Sequence, residues 1–102
     1  MPMVVRLENE FGSLIEQVGD STNCLPGLLD KTEHFSFVMF RFIDLYGNTI
    51  FNRRQLGVLV KEIDHILKTT KASDELTLLE QVRRLAIYGS ENVHVYLKFV
   101  GD

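Results

Sequence analysis

Residues 40–67, FRFIDLYGNTIFNRRQLGVLVKEIDHIL, pass from an apolar run through a polar turn into a second apolar run and then a helical repeat. Gly47 and Asn48 favour a reversal of the chain, and residues 49–51 favour a strand. From Asn52 onward apolar residues recur at spacings of three and four, the period of an amphipathic helix. This stretch therefore predicts a strand, a turn, a short strand and a helix in succession.

The run before the turn, residues 35–43, is apolar except at Ser36 and Arg41. Apolar residues on both faces are typical of a strand that is covered on both sides of the sheet. We therefore expect residues 35–43 to form a central strand, which pairs with residues 49–51 as a hairpin across the turn of residues 44–48.

The helix that begins at Asn52 is expected to pack against a second helix. Ser73 or Asp74 can cap the second helix, and Gly89 can end it in the left-handed conformation. The predicted buried stripe of the first helix comprises Leu56, Leu59, Val60, Ile63, Ile66 and Leu67, and its other face Lys61, Glu62, Asp64 and Lys68. The predicted buried side of the second helix comprises Leu78, Leu79, Val82, Leu85 and Ala86.

The sequence predicts β-strands near both ends of the chain. Residues 3–8 and 13–18 predict a β-hairpin with a loop of about four residues. Residues 20–34 predict a loop with at most one helical turn, at residues 25–29. Residues 93–100 alternate between apolar and polar, which predicts a half-buried strand with His94, Tyr96 and Lys98 on one face.

The expected fold is α+β (β-β-β-β-α-α-β), a four- to five-stranded, mostly antiparallel sheet with a helix hairpin packed on one face.

Composition places the chain among ordinary globular domains. Its 102 residues are 45% hydrophobic and 25% charged, which predicts a single domain over residues 1–102. The net charge is −3 and the basic residues are scattered, so we do not expect nucleic acid as a partner. No apolar run approaches the roughly 20 residues of a membrane helix, and the N-terminus does not resemble a secretory signal. Cys24, the single cysteine, reads as a small buried apolar residue, and the expected location is cytoplasmic.

Catalytic and metal-binding patterns are not evident. His34, His65 and His94 do not have the spacing of metal ligands, and neither Ser13 nor Ser90 follows the pattern of a nucleophile elbow. We therefore predict no catalytic residues, no metal, no cofactor and no enzymatic activity. An alternative is a small enzyme that uses His94 and Asp44 as acid and base.

The candidate binding residues surround the central turn. Arg53 and Arg54 lie in the first turn of a predicted helix, where the positive end of the helix dipole disfavours cations by about a few tenths of a kcal/mol each. Either a carboxylate of Asp44 or Asp102 compensates within the fold, or an acidic partner surface does so. Tyr46 in a turn is either packed on its own hairpin or an anchor of a protein interface.

Two motifs carry a family resemblance. Residues 44–53, DLYGNTIFNR, and residues 94–102, HVYLKFVGD, resemble motifs of a group of small uncharacterised bacterial proteins, over about the last two thirds of the chain. Those proteins resemble immunity proteins of bacterial toxin systems, including contact-dependent inhibition. Asn48 stands where an Asp is expected, so a role that needs charge there does not carry over. The resemblance also leads us to expect that the turn and the C-terminus meet in space.

The resemblance implies a non-catalytic protein that binds and blocks one cognate toxin, for instance a nuclease domain. The predicted partner-binding residues are Asp44, Tyr46, Asn48, Arg53, Arg54 and His94. The alternative is a small ligand-binding or regulatory domain, with a pocket between sheet and helices and with Tyr96, His94 and Arg53 as its polar groups.

Overall fold

Residues 2–101, apart from the side chain of His34, are described by a computed structural model, in which four strands form one antiparallel sheet. The strands are β1 (Val4–Asn9), β2 (Leu14–Gly19), β3 (Asn48–Phe51) and β4 (Val95–Val100). Their order across the sheet is β2-β1-β4-β3, so β1 and β4 are central and β2 and β3 are the edges. The predicted N-terminal hairpin and C-terminal strand are confirmed.

Three α-helices accompany the sheet in this part of the chain: α1 (Leu25–Lys31), α2 (Arg53–Leu67) and α3 (Ser73–Glu91). The last two are joined by five residues and pack together as a hairpin. Asn52 caps α2 in a reciprocal capping box: its side chain accepts the Gln55 N–H at 3.0 Å, and its own N–H donates to the Gln55 side chain at 2.8 Å. The predicted α+β class, with a helix hairpin on an antiparallel sheet, is confirmed.

One face of the sheet carries the core. Alternate residues of β4 are buried, and the register places Val5 opposite Phe99 and both Leu7 and Phe51 opposite Leu97. The α2–α3 hairpin covers this face with the residues that its apolar period predicts, among them Leu59, Ile63, Leu79, Val82 and Leu85. The opposite face carries Arg6, Lys98 and Ile50, and the register places both Arg6 and Ile50 opposite Lys98.

Ion pairs join the elements at their margins. Glu16 of β2 pairs with Arg84 of α3 at 2.5 Å, and this hydrogen bond lowers the pKa of the Glu16 carboxyl. Lys31 at the end of α1 pairs with Glu75 of α3 at 2.9 Å. Within residues 2–101 no helix is both long and apolar enough to cross a membrane.

The central strand predicted over residues 35–43 is wrong. This segment contains a 3-10 turn at Phe40–Phe42 and no strand, so the predicted hairpin of two strands around the turn is also absent. Phe40 and Ile43 are buried at a helical spacing of three, while Val38 and Phe42 are exposed. The physical reason is the packing partner: the segment lies against α2 rather than in the sheet.

The side chain of Glu62 explains why residues 35–43 pack against α2, and its burial shows that its predicted position on the exposed face is wrong. It was predicted on the solvent face of α2 but is only 6% exposed, and its carboxylate accepts three backbone N–H groups at 3.0–3.1 Å, from Val38, Met39 and Phe40. In a sheet, the carbonyl groups of a neighbouring strand would accept hydrogen bonds from these backbone N–H groups. Here the Glu62 carboxylate accepts them instead.

The predicted first residues and the predicted last residue of α3 are also wrong. Ala72 occupies the N-cap position, and Ser73 and Asp74 lie inside the first turn. The helix continues past Gly89 to Glu91, and Gly89 is buried where a Cβ atom would collide with the Leu56 side chain. Gly89 therefore serves close packing rather than helix termination.

Candidate functional site

The turn between residues 42 and 49 is held by side-chain hydrogen bonds. The Asp44 carboxylate accepts the Tyr46 N–H at 2.9 Å. The Thr49 hydroxyl accepts the Asp44 N–H at 2.9 Å and donates to the Phe42 carbonyl at 3.2 Å. Asp44 and Thr49 thus fix the backbone of the turn, in the manner of local side-chain to backbone bonds.

The C-terminal end of β4 docks on this turn. The Gly101 N–H donates to the Gly47 carbonyl at 2.7 Å. A Cβ atom at Gly101 would lie 2.7 Å from the Asp44 carbonyl oxygen and would also collide with the Gly47 backbone, so glycine is needed for this close approach. The expected meeting of the turn and the C-terminal motif is confirmed at these residues.

Other residues of the motif have no such structural role. Tyr46 is 83% exposed and Ile50 is 57% exposed, although both lie in a well-fixed part of the chain. Asn48, Arg53 and Arg54 are exposed as well. Together with His94 these residues lie along β3 and its two ends. We call them the β3 surface: Tyr46, Asn48, Ile50, Arg53, Arg54 and His94.

One end of the β3 surface is cationic. Arg53, Arg54 and His94 line a shallow depression of about 220 Å³, together with Asn52 and residues 93, 95 and 96. The structure thereby brings together three of the residues that the sequence predicted for a site. Within the described residues neither arginine pairs with a carboxylate.

The sequence predicts His94 within the C-terminal strand, but the residue lies just before β4. Its φ of 63° places it in the left-handed region, which non-glycine residues seldom occupy. Its Nδ1 atom lies 3.3 Å from a carboxylate oxygen of Glu10 in the β1–β2 turn. Val93 is 63% exposed rather than buried, because the strand begins only at Val95.

The remaining predicted residues lie at the other end of β3. Asp44 is beside Gly101, which follows β4, whereas His94 precedes β4. The six residues of β4 span about 20 Å at roughly 3.4 Å per residue, so Asp44 and His94 cannot share a proton-transfer site. A lock between Asp44 and Arg53 is excluded in the same way, because β3 separates them; Asp102 lies outside the described residues.

The ligand pocket expected between the sheet and the helices is filled by core side chains. Its proposed polar groups, Arg53, His94 and Tyr96, instead line the surface depression described above. A larger depression, of about 460 Å³, lies between α1 and the 3-10 turn, with Leu29, Phe40 and Ile43 as its apolar lining and Glu33 and Arg41 as its charged residues. Thr32 completes its lining.

The exposure of Ile50 beside the predicted site and the burial of Glu62 are absent from the predictions above, although the sequence pattern indicates both. Ile50 lies one residue before buried Phe51 in a strand, so period-two alternation places it on the opposite face. Glu62 lies three residues after Leu59 and four before Ile66, at the flank of the apolar stripe of α2.

Comparison with known proteins gives no relative: no family model matches the chain, and neither a curated protein nor a solved structure matches it.

Proposed function

We propose that this chain is a non-catalytic binding protein that contacts a partner protein through the β3 surface. The observation that carries the proposal is the presentation of Tyr46. This aromatic side chain is 83% exposed on a turn whose backbone is held by Asp44, Thr49 and Gly101. An exposed tyrosine on a rigid support loses little conformational entropy on binding, and tyrosine and arginine are enriched among the residues that dominate interface energies.

We further propose that the partner is the toxin domain of a bacterial toxin system, which the chain neutralises in the cytoplasm as an immunity protein. The support is the resemblance carried by residues 44–53 and 94–102. Those segments form the turn, β3, the start of α2 and β4, and they contain every residue of the β3 surface except Arg54. Under this proposal, Asp44 contributes by fixing the turn that presents Tyr46.

The second candidate function is the binding of a small ligand. The observation in its favour is the depression beside α1, because its volume of about 460 Å³ falls within the roughly 300–1,000 Å³ of ligand sites. The depression at Arg53 and His94, at about 220 Å³, falls below that range and suits a side chain of a protein partner better.

The test is capture of a partner by the affinity-tagged chain in the native host, followed by co-expression of the chain with the captured protein. We expect tight capture and rescue of growth. Tyr46→Ala should weaken binding by at least about 30-fold, corresponding to roughly 2 kcal/mol for a central interface tyrosine. Its melting temperature should change little, because the Tyr46 side chain makes no hydrogen bond within residues 2–101.

Ile15→Ala is the matched control, since Ile15 is also exposed but lies on β2, at the opposite edge of the sheet. Its partner affinity should equal that of the wild type. A captured partner that binds the Tyr46→Ala variant with unchanged affinity would contradict the proposal. A chain that captures no protein, but whose melting temperature rises with a metabolite, would favour the small-ligand function instead.

A further inference from the structure

Three of the six arginines are paired within the described chain. Arg6 pairs with Glu8 at 2.7 Å, and Arg83 and Arg84 each contact a carboxylate at 2.5 Å. Arg53 and Arg54 are adjacent and exposed, and they pair with no carboxylate among residues 2–101. Among the described residues these two neighbouring cations therefore have no paired carboxylate, although the net charge of the full chain is −3.

Their position makes this arrangement electrostatically unfavourable in the isolated chain. Both residues are in the first turn of α2, a helix of 15 residues, where the helix dipole repels positive charge. The arginine side chains do not cap the helix, because a guanidinium has only N–H donors and cannot accept the free backbone N–H groups there; Asn52 accepts the Gln55 N–H instead. An acidic group that reached this point would be attracted by both side chains.

The shape of the surface fits such a group. The side chains of Arg53, Arg54 and His94 converge on one depression, and exposed Val93 forms part of its lining. A carboxylate oxygen of Glu10 lies 3.3 Å from the Nδ1 of His94, and Glu10 pairs with neither arginine. Guanidinium groups bind carboxylates through two parallel hydrogen bonds, which gives both energy and orientation.

We propose that this depression receives an acidic segment of the partner protein, with aspartate or glutamate carboxylates bound by Arg53 and Arg54. The inference rests on the proposed function and specifies the chemistry of the contact. Charge complementarity then requires the partner to offer an acidic face. If the partner is a nuclease, its basic substrate-binding surface is not the surface that lies on this depression.

The test is an NMR titration of the ¹⁵N-labelled full chain with acetylated, amidated tetraglutamate, tetraglutamine and inorganic phosphate. We expect saturable shifts confined to the amides of residues 52–54 and 93–96 with tetraglutamate, and none with tetraglutamine. The double variant Arg53→Gln/Arg54→Gln should raise the Kd for tetraglutamate at least about tenfold, through loss of two charge-assisted contacts.

Arg41→Gln is the matched control, because Arg41 is an exposed arginine that also forms no ion pair with a described residue but lies at the other depression. It should leave the Kd unchanged. Shifts spread over all basic residues, or an equal loss in the Arg41→Gln variant, would overturn the inference as nonspecific attraction. Tighter binding of phosphate than of tetraglutamate at the same amides would overturn it in favour of a small-anion site.

Binding of the captured partner to the variants distinguishes a failure of this inference from a failure of the proposed function. If Tyr46→Ala releases the partner while Arg53→Gln/Arg54→Gln does not, the acidic contact is refuted and the β3 surface remains the binding surface. If no partner is captured and tetraglutamate still binds at residues 52–54, the proposed function fails and recognition of acidic peptides stands.

Discussion

Gly89 lies within a 19-residue helix, where glycine is normally unfavourable, because α2 and α3 approach each other closely at this point. A Cβ atom there would collide with Leu56 Cδ1 and lie 3.6 Å from Leu7 Cδ1. Both leucines are buried in the core and have little freedom to move. Gly57, in α2, is the contrasting case, since a Cβ atom there would meet nothing within 4 Å.

These two positions give opposite predictions for the same substitution. Gly89→Ala should lower the free energy of unfolding by about 1–3 kcal/mol, the range for overpacking a filled core. Gly57→Ala should raise it by about 0.5–1 kcal/mol, because alanine has the higher helix propensity. Urea unfolding of both variants beside the wild type measures the difference. A stabilising Gly89→Ala would show that the two helices are farther apart than described.

Single residues also show why a motif is hard to interpret from sequence. In DLYGNTIFNR the side chains of Asp44, Thr49 and Asn52 form hydrogen bonds within the fold, while those of Tyr46 and Arg53 form none within residues 2–101. All five are polar or amphipathic residues typical of turns and caps. The division between structural and exposed residues depends on which side chains bond to backbone groups such as the Tyr46 N–H and the Phe42 carbonyl, and the residue types alone do not reveal it.

At the scale of elements, the predictions succeeded where periodicity extends over several turns or strand residues. The buried stripes of α2 and α3 and the alternation of β4 follow the sequence pattern closely. Residues 35–43 failed because a short apolar run is compatible with either a buried strand or a turn packed on a helix. The deciding contact comes from Glu62, which is more than 20 residues away.

Glu62 should therefore control the order of residues 38–40. In Glu62→Gln the negative charge and one acceptor oxygen are lost, so three N–H groups no longer have charged acceptors. We expect the free energy of unfolding to fall by about 1–3 kcal/mol, the range for hydrogen bonds to charged groups. Amide hydrogen exchange at Val38, Met39 and Phe40 should accelerate more than exchange in β4.

Glu80→Gln is the control for that variant, because Glu80 is exposed on α3 and its side chain accepts no hydrogen bond from the described residues. Its exchange rates and its free energy of unfolding should match those of the wild type within about 0.5 kcal/mol. Unchanged exchange at residues 38–40 in Glu62→Gln would mean that apolar packing alone holds the segment.

At the scale of the whole molecule, the strand order explains the layout of the candidate site. Because β3 is an edge strand beside β4, the turn at Tyr46 and the cationic depression at Arg53 lie at its opposite ends, joined by exposed Ile50. The predicted residues therefore form an extended surface rather than a pocket. Sequence reasoning could name these residues but could not establish their layout, since strand order depends on pairing between β1 and β4 across the length of the chain.

The stability of the whole molecule should respond to pH through Cys24, which is buried beside α3. A hydrogen bond with Thr22 alone would lower the pKa of the thiol, but burial and the carboxylates of Asp74 and Asp20 outweigh it, so the pKa is raised. Above the thiol pKa of the unfolded chain, roughly 8.5, the unfolded state binds fewer protons than the folded state. The contribution of the thiol to stability is therefore complete below that pH and is lost as the pH rises through the folded pKa.

We accordingly expect the free energy of unfolding to decline more steeply between about pH 8 and pH 10 in the wild type than in a Cys24→Ala variant. Urea unfolding of both proteins across this range measures the difference, and titration of lysines and tyrosines cancels in the comparison because both proteins contain the same ones. Parallel pH profiles would show that Cys24 ionises equally in both states. They would place the thiol in an environment more polar than the contacts with Thr22, Asp74 and Asp20 provide.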